Sequence, residues 1–516
     1  MFMDSFKNEL NSKYNVSYTE NGAAGYATTN KALLDLNFSA ASLRSASESE
    51  IVNKFMLAYA EDALLAIKWL FFARDARQGL GERRLFRVAF RELKNTRTDV
   101  TKLIHLVAEY GRWDDLWCLL DGESDDSEIA LAVYHLVEKQ LEEDLRAYSK
   151  NKPISLLAKW LPSTNASSKK TKALAKRFVS VLGYTDKTYR QMLSKLRAYS
   201  NVVEVKMCAN EWGSIDYETV PSKANIVYNS AFLRNDEERR RAYLAALEKG
   251  EAKINSSVLY PHDVVHKYCN SGSWYDRVKS YDAALEAMWK NLPQIDGLEN
   301  TLVVADGSGS MTCRVGNTNI SAIEVANALA IYFAEHNTGE FYNKYITFSM
   351  RPQFVDLGNG SLRGKLIVAS KHNECSNTNI EAVFDLILST AVNNKMRQEE
   401  LPKNVLIISD MEFDSCAYRT NDNKYGNCKA DAKLFDTIRN KFEAAGYMMP
   451  RLVFWNLNSR TGTIPITENK LGVALVSGFS TNIAKMVMSN KTDPYECLLE
   501  ILNSERYKAV EEALKN

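Results

Sequence analysis

Three polar segments in the last third of the chain carry side chains that bind hard metal ions. The first, Asp306-Gly307-Ser308-Gly309-Ser310, follows an apolar run, and the third, Asp410, follows the apolar run VLIIS. The second contains Thr378, just before a helical pattern. Carboxylate and hydroxyl oxygens suit Mg²⁺, which prefers octahedral oxygen ligands and keeps some of its waters. We predict a site for Mg²⁺ (or Mn²⁺ or Ca²⁺) with the ligands Asp306, Ser308, Ser310, Thr378 and Asp410.

Strands and helices that alternate from about residue 297 onward would position these segments. TLVVAD, NVLIISD, RLVFWNLN and GVALVSG are continuous apolar runs, and YITFSM with PQFVDL is typical of a hairpin. Such runs, separated by helices, predict a mainly parallel, doubly wound sheet covered on both faces. Loops at the carboxyl ends of its strands meet where the strand order reverses. Residues 306–310 alone could be a simple glycine–serine turn, but the order of all three segments favours the metal site.

The preceding part of the chain has a helical pattern. Between about residues 48 and 290, apolar residues recur at spacings of three and four, and glycines and prolines separate the helical segments. Paired helices of this length favour an α-solenoid, although no clear sequence repeat is present. We expect an irregular arm at residues 1–45, a helical domain at 46–295 and an α/β domain at 296–516.

Composition narrows the class of protein. A formal net charge of +1 gives the whole chain no strong attraction to nucleic acid or to anionic membranes. The eight cysteines contain no C-x-x-C pair, so a zinc knuckle and a disulfide framework are both disfavoured. The polar N-terminus is unlike a secretory signal, and no apolar stretch is long enough to span a membrane. We therefore expect a cytoplasmic protein.

Basic side chains are concentrated between residues 169 and 197. Clustered cations of this kind neutralise phosphates and bind RNA without sequence preference, and Tyr184, Tyr189 and Tyr199 could stack on unpaired bases. A solvated helix face is the alternative. The candidate RNA-binding residues are Lys169, Lys170, Lys172, Lys176, Arg177, Arg190, Lys195 and Arg197.

The pattern Asp306-x-Ser308-x-Ser310, with Thr378 and Asp410 downstream, resembles the metal-ion-dependent adhesion site of von Willebrand factor A and integrin I domains. The resemblance covers about residues 298–490, and all the ligand positions match. It implies a Rossmann-like domain whose metal leaves one position open for an acidic group of a partner. Glu412 and Asp414 could line this site, but we favour solvated loop charges.

A helical region followed by an A-type domain resembles the Ro autoantigen, or TROVE, family of RNA-binding proteins. Residues 110–116 (YGRWDDL) and 73–83 (ARDARQGLGER) resemble Ro segments. A little-characterised Ro-like family of bacteria, viruses and plants is closer, and shares patches at 159–162, 220–222, 259–261 and 408–411. This resemblance implies HEAT-like helical repeats, possibly closed into a ring, that bind structured RNA outside and single-stranded ends inside.

These observations predict a non-catalytic, RNA-binding scaffold of a ribonucleoprotein with a magnesium-dependent ligand site. Its expected partners are structured or single-stranded RNA and a protein that donates an acidic group to the metal, whereas DNA and membranes are not expected. The alternative is a metal-dependent protein-interaction module with no role in RNA binding. A metal-dependent enzyme is a weaker third possibility, since the sequence offers no convincing nucleophile or second metal site.

Overall fold

The structure is a computed structural model that divides the chain into two compact units. It describes residues 14–22, 24–200, 202–256, 259–269, 278–294, 300–373, 378–413, 432–465, 473–480, 483 and 493–515. The α/β unit comprises the residues up to Ala66 together with Leu259–Asn503, and the helical unit comprises Ile67–Val258 together with Ser504–Asn516. Each unit is therefore built from two separate stretches of chain.

The strands are short and mostly buried. They are β1 (Ser17–Tyr18), β2 (Ala24–Gly25), β3 (Thr301–Asp306), β4 (Lys344–Phe348), β5 (Phe354–Asp356), β6 (Asn404–Ser409), β7 (Arg451–Asn456) and β8 (Ala474–Ser477). The last six form one sheet in the order β5-β4-β3-β6-β7-β8, in which only β5 runs antiparallel to its neighbour. This confirms the predicted mainly parallel sheet and the predicted hairpin.

The described residues also form α-helices in both units. In chain order these are α1 (Ala32–Phe38), α2 (Glu48–Glu61), α3 (Ala63–Arg74), α4 (Arg83–Glu92), α5 (Val107–Tyr110), α6 (Glu128–Ser149), α7 (Leu157–Trp160), α8 (Lys169–Val181), α9 (Asp186–Tyr199), α10 (Val203–Cys208), α11 (Ser222–Asn235), α12 (Glu237–Lys249), α13 (Pro261–Tyr268), α14 (Ala283–Lys290), α15 (Ala322–His336), α16 (Leu362–Lys371), α17 (Ile380–Asn393), α18 (Ala432–Ala444), α19 (Pro494–Leu502) and α20 (Glu505–Lys515). Among the described residues, no helix is long and apolar enough to cross a membrane.

Helices cover both faces of the sheet. On one face Phe384 of α17 and Phe442 of α18 belong to the same buried cluster as Val304 of β3. On the other face Phe333 of the almost fully buried helix α15 contacts Trp455 of β7, with ring centroids 5.4 Å apart. Burial on both faces explains why the strands are continuously apolar instead of alternating.

The N-terminal segment differs from the irregular arm expected at residues 1–45. From residue 14 onward it contains β1, β2 and α1, and the apolar side chains of α1 are buried. The side-chain amide of Asn456 donates to the carbonyl of Phe38 (2.8 Å), and the amide of Ala41 donates to the Ser477 hydroxyl (3.0 Å). These partners lie more than four hundred residues away in sequence, so local patterns do not indicate them.

The helical unit confirms the predicted helical region, but its limits differ from the segment 46–295 that we expected. Helix α13 packs against α15 in the α/β unit, which begins again at Leu259. Helix α20 belongs to the helical unit, where the ring of Tyr507 stacks on Tyr110 with centroids 5.7 Å apart. A change from helices to strands in the sequence therefore does not mark the boundary between compact units.

A buried ion pair explains the glycine in the sequence YGRWDDL. The Arg74 guanidinium donates to Asp115 (2.7 Å), and both side chains are almost completely buried. A Cβ atom on Gly111 would lie 2.6 Å from the Asp115 carboxylate and 2.8 Å from Arg74 Nε. Only glycine leaves room for this pair, so these motif residues have a structural role in the helical unit.

Arg240 of α12 is another buried cation in this unit. Its guanidinium is fully buried and donates to the side-chain oxygens of Asn225 and Asn229 at 3.0–3.1 Å. The rings of Tyr217 and Tyr243 lie within 5.3 Å of its central carbon. Aromatic faces and amide oxygens thus stabilise the buried charge.

Candidate functional site

The two candidate carboxylates lie at the same edge of the sheet. Asp306 ends β3 and Asp410 directly follows β6, and these two strands are parallel neighbours. From β3 the strand order runs through β4 and β5 to one side and through β6, β7 and β8 to the other. The carboxylates therefore lie at the point where the strand order reverses, where doubly wound folds bind their ligands. Both side chains are buried.

Hydroxyl groups surround Asp306. The amide of Ser308 donates to one carboxylate oxygen (2.9 Å), and the hydroxyl of Ser409 donates to the other (2.5 Å). The hydroxyls of Ser308 and Ser310 lie 3.0 Å apart. The structure therefore brings Asp306, Ser308 and Ser310 together as predicted. It adds Ser409, which the sequence analysis missed although it immediately precedes Asp410.

Backbone strain occurs beside Asp410. Met411 has φ of 61°, in the left-handed region that a bulky side chain seldom adopts, and its side chain is buried. The amide of Met411 donates to the Ser409 hydroxyl (3.1 Å), and the amide of Glu412 donates to Asp410 (3.2 Å). Such strain costs on the order of 1–3 kcal/mol and persists where the surroundings enforce it, often at functional sites.

The second candidate segment lies against the first. A Cβ atom on Gly307 would be 3.0 Å from the Cα of Asn373, so the DGSGS loop and the chain after α16 are in close contact. Thr378 is buried immediately before α17, while residues 374–377 lie outside the described part of the chain. The DGSGS loop therefore lies against the segment after α16, and Thr378 as a ligand stays a prediction.

The electrostatics of the site favour a bound cation. Burial raises the pKa of Asp306 above its usual range, and the neighbouring Asp410 carboxylate raises it further. Burial also raises the pKa of Asp410, against the opposing effect of Arg460. A divalent cation stabilises two buried carboxylates whose charged forms are disfavoured by burial. The residues present therefore fit such an ion.

The described residues contain no group of three or more His, Cys, Asp or Glu side chains arranged for a metal. The candidate site depends on two carboxylates and on hydroxyls, a set that suits a cation which keeps some of its waters.

Arg460 is a cation that the sequence analysis did not identify. One guanidinium nitrogen lies 3.2 Å from the Asp410 carboxylate and 3.5 Å from the carbonyl oxygen of Ser310. The other terminal nitrogen lies 2.6 Å from the carboxylate of Glu20. Arg460 follows β7, and nothing in the surrounding residues 457–465 distinguishes it from an ordinary surface arginine.

Glu412 is buried, so our preference for a solvated loop charge was wrong. Its carboxylate accepts hydrogen bonds from the amides of Glu20 (2.8 Å), Arg460 (2.7 Å) and Thr461 (3.0 Å). It therefore joins the loop after β6, the loop after β7 and the N-terminal segment. Asp414, the other acidic residue of the loop after β6, lies outside the described residues.

We call residues 14–22 and 24–28 the N-terminal hairpin, since β1 and β2 are antiparallel. The Thr19 hydroxyl donates to the carbonyl of Phe413 (2.6 Å), and the side-chain amide of Asn21 donates to the carbonyl of Glu412 (2.7 Å). Tyr26 and Ile464 exchange two backbone hydrogen bonds of 2.8 Å. The hairpin is thus attached to the two loops that carry Asp410 and Arg460.

The predicted RNA-binding lysines are exposed on the helical unit. Lys169, Lys172 and Lys176 lie at helical spacing on α8 and form one stripe, which we call the lysine stripe. Lys170 is 82% exposed and lies 3.0 Å from Asp121. Arg190 and Lys195 are exposed on α9.

Two predicted arginines and one tyrosine are engaged in the fold. Arg197 donates to the carbonyls of Ala158 (2.8 Å) and Leu161 (2.7 Å), while Arg177 donates to the carbonyl of Leu120 (2.8 Å) and pairs with Asp125. The Tyr189 side chain is buried, which prevents it from stacking on a base. The sequence cannot distinguish arginines that bind backbone carbonyls from those that face solvent.

Comparisons with known proteins match almost the whole chain. Residues 300–514 match a domain of unknown function (DUF7788), and residues 124–298 match another domain of unknown function (DUF2828). The chain is also similar to the uncharacterized protein L728 of Acanthamoeba polyphaga mimivirus. The two sequences are 30% identical over an alignment of 525 residues, and this alignment covers 95% of this chain and 87% of the viral protein. The chain therefore belongs to the same protein family as mimivirus L728.

Proposed function

We propose that the protein is a non-catalytic binding scaffold with a divalent-metal site in a von Willebrand A-type domain. The observation that carries the proposal is the position of two buried carboxylates, Asp306 and Asp410, at the reversal point of a mainly parallel sheet. The Ser308 and Ser310 hydroxyls beside them complete the resemblance to a metal-ion-dependent adhesion site. Mg²⁺ is the proposed ion, and Thr378 is the proposed ligand from the second segment.

The proposed metal-site residues have distinct roles. A bound cation would supply an open coordination position for an acidic group of a protein partner. Ser409 and the Ser308 amide orient the Asp306 carboxylate, because each donates to a different oxygen. The amide of Glu412 donates to the Asp410 carboxylate and orients it. These contacts hold the ligands in place before any partner arrives.

Titration of the purified protein with Mn²⁺, followed by electron paramagnetic resonance, tests the metal site. We expect saturable binding of about one ion, and loss of that binding in Asp306→Ala. Asp356→Ala is the matched control, since it removes an exposed carboxylate from the same unit. Equal binding by wild type and Asp306→Ala, with the fold retained, would refute the proposed ligand set.

We further propose that the helical unit, as a HEAT-like domain, binds structured or single-stranded RNA through the lysine stripe. The supporting observation is that Lys169, Lys172 and Lys176 are exposed on one face of α8, with Arg190 and Lys195 exposed on the next helix. Arg177 and Arg197 contribute to the fold of this region. Phosphate contacts by such cations release counterions, so the affinity falls steeply as salt rises.

Crosslinking and sequencing of RNA that copurifies with the native protein tests this second proposal. We expect enriched RNA that is lost when three lysines of α8 are reversed to glutamate. A matched triple variant elsewhere in the unit has the same change in net charge and should keep its RNA. The test variant combines Lys169→Glu, Lys170→Glu and Lys172→Glu, and the control combines Lys139→Glu, Lys150→Glu and Lys152→Glu.

Absence of RNA above background in the wild type, or equal RNA in both variants, would refute the RNA proposal. Retained Mn²⁺ binding would then favour the alternative, a metal-dependent protein-interaction module.

A further inference from the structure

We propose that Arg460 controls the affinity of the metal site and that Glu20, on the N-terminal hairpin, sets its effect. The inference rests on the proposed cation site and goes beyond it, since it assigns a regulatory contact to two residues that are not metal ligands. The geometry that carries it is a chain of charges in which one guanidinium contacts Asp410 on one side and Glu20 on the other.

Arg460 and a divalent cation compete for the same carboxylate. The guanidinium is 3.2 Å from Asp410 Oδ2, and Asp410 is almost completely buried, so this ion pair is poorly screened by water. A cation held by Asp306 and Asp410 would therefore be repelled by the guanidinium and would share the negative charge of Asp410 with it. Arg460 must consequently lower the affinity for a divalent ion.

Glu20 weakens this competition. Its carboxylate is 2.6 Å from the other terminal nitrogen of Arg460, so it draws the guanidinium toward the hairpin and offsets part of its positive charge. Without Glu20, Asp410 would be the one remaining ion-pair partner of Arg460 among the described residues. The metal affinity should therefore fall when Glu20 is neutralised and rise when Arg460 is neutralised.

Separate contacts hold the backbone of both segments. The amides of Arg460 and Glu20 donate to Glu412, and the amide of Thr461 does the same. Replacing the side chain of Arg460 or Glu20 leaves these bonds available. The charge can therefore be changed while the loop and hairpin stay attached, which makes Arg460→Met and Glu20→Gln informative variants.

The experiment measures Mn²⁺ affinity at pH 8 by electron paramagnetic resonance in four proteins that form a double-mutant cycle. They are the wild type, Arg460→Met, Glu20→Gln and the double variant. A coupling between sites commonly changes affinity by about tenfold, so we expect roughly tenfold tighter binding in Arg460→Met and roughly tenfold weaker binding in Glu20→Gln. In the double variant, Glu20→Gln should have no further effect, because Glu20 acts through the guanidinium.

Two matched controls remove the same charges from exposed positions in the same unit. Arg351→Met and Glu399→Gln should leave the Mn²⁺ affinity within about twofold of the wild type, since within the described residues neither side chain contacts Asp410 or Arg460. They separate a local contact from a change in the overall charge of the protein.

The outcomes distinguish this inference from the proposed metal site. If the wild type binds Mn²⁺ and Arg460→Met binds it equally well, the inference is wrong and the site stands. If the wild type binds weakly and Arg460→Met binds tightly, both are supported. If no variant binds Mn²⁺, the proposed site and the inference fall together. An effect of Glu20→Gln that persists in the double variant would also overturn the role given to Arg460.

Discussion

Glu412→Ala should weaken the attachment of the N-terminal hairpin to the loops after β6 and β7. The Glu412 carboxylate accepts the backbone amides of Glu20, Arg460 and Thr461, and within the described part of the chain these amides have no other acceptor. A hydrogen bond contributes about 1 kcal/mol net, and bonds to a charged group contribute more. At about 1 kcal/mol each, the three bonds amount to a lower limit of roughly 3 kcal/mol, which corresponds to about a hundredfold change in a local opening equilibrium.

Hydrogen exchange followed by mass spectrometry measures this equilibrium at the amides themselves. We expect peptides that contain residues 17–22 and 459–463 to exchange about a hundred times faster in Glu412→Ala, while the strands β3 and β6 keep their protection. Glu412→Gln is the matched control, because it keeps the size and one acceptor oxygen and should show a smaller change. Unchanged exchange in both peptides of Glu412→Ala would refute the role of Glu412 as the link between these segments.

Three further predictions concern other buried groups. Because burial raises the pKa of Asp306, the contribution of this carboxyl to the stability of the fold is present at low pH and is lost as the pH rises. Mg²⁺ binds the ionised carboxylate, so thermal stabilisation of the protein by Mg²⁺ should grow between about pH 5 and pH 8. Arg240→Met should lower the free energy of unfolding of the helical unit, measured in urea, by more than about 2 kcal/mol, because it leaves two buried amide oxygens without their donor. Arg241→Met, on the exposed face of the same helix, is the control and should change this free energy by less than about 0.5 kcal/mol. Gly111→Ala should be similarly destabilising because its Cβ has no room, whereas Gly213→Ala meets no atom within 4 Å and should fold normally.

Much of the α/β unit could be predicted because its signals are local. Continuous apolar runs such as residues 302–305 and 405–408 indicate strands buried on both faces, and the structure places them in neighbouring parallel positions. The convergence of Asp306 and Asp410 follows, since carboxyl ends of parallel strands meet at one edge. The short hairpin formed by β4 and β5 is likewise determined by nearby residues.

The contacts that complete the site could not be predicted because they join distant parts of the chain. Glu20 contacts Arg460, and Glu412 contacts both, across separations of up to 440 residues that no local pattern reveals. In the basic segment between residues 169 and 197, the sequence does not show which cations face solvent. Arg197 and Lys195 are alike by composition, yet the guanidinium of Arg197 binds backbone carbonyls while Lys195 faces solvent.

Because each unit is built from two separate stretches of chain, its parts are made at different times on the ribosome. Phe38 of α1 is bonded to Asn456, which is made 418 residues later, a delay of roughly 20–80 s at about 5–20 residues per second. The apolar face of α1 is therefore without its final partner for most of the time needed to make the chain. Tyr110 similarly precedes its stacking partner Tyr507 in the helical unit. These early apolar segments therefore need protection from aggregation until their partners have been made. A fragment that starts at residue 300 would lack α1 and would expose the sheet surface that α1 covers.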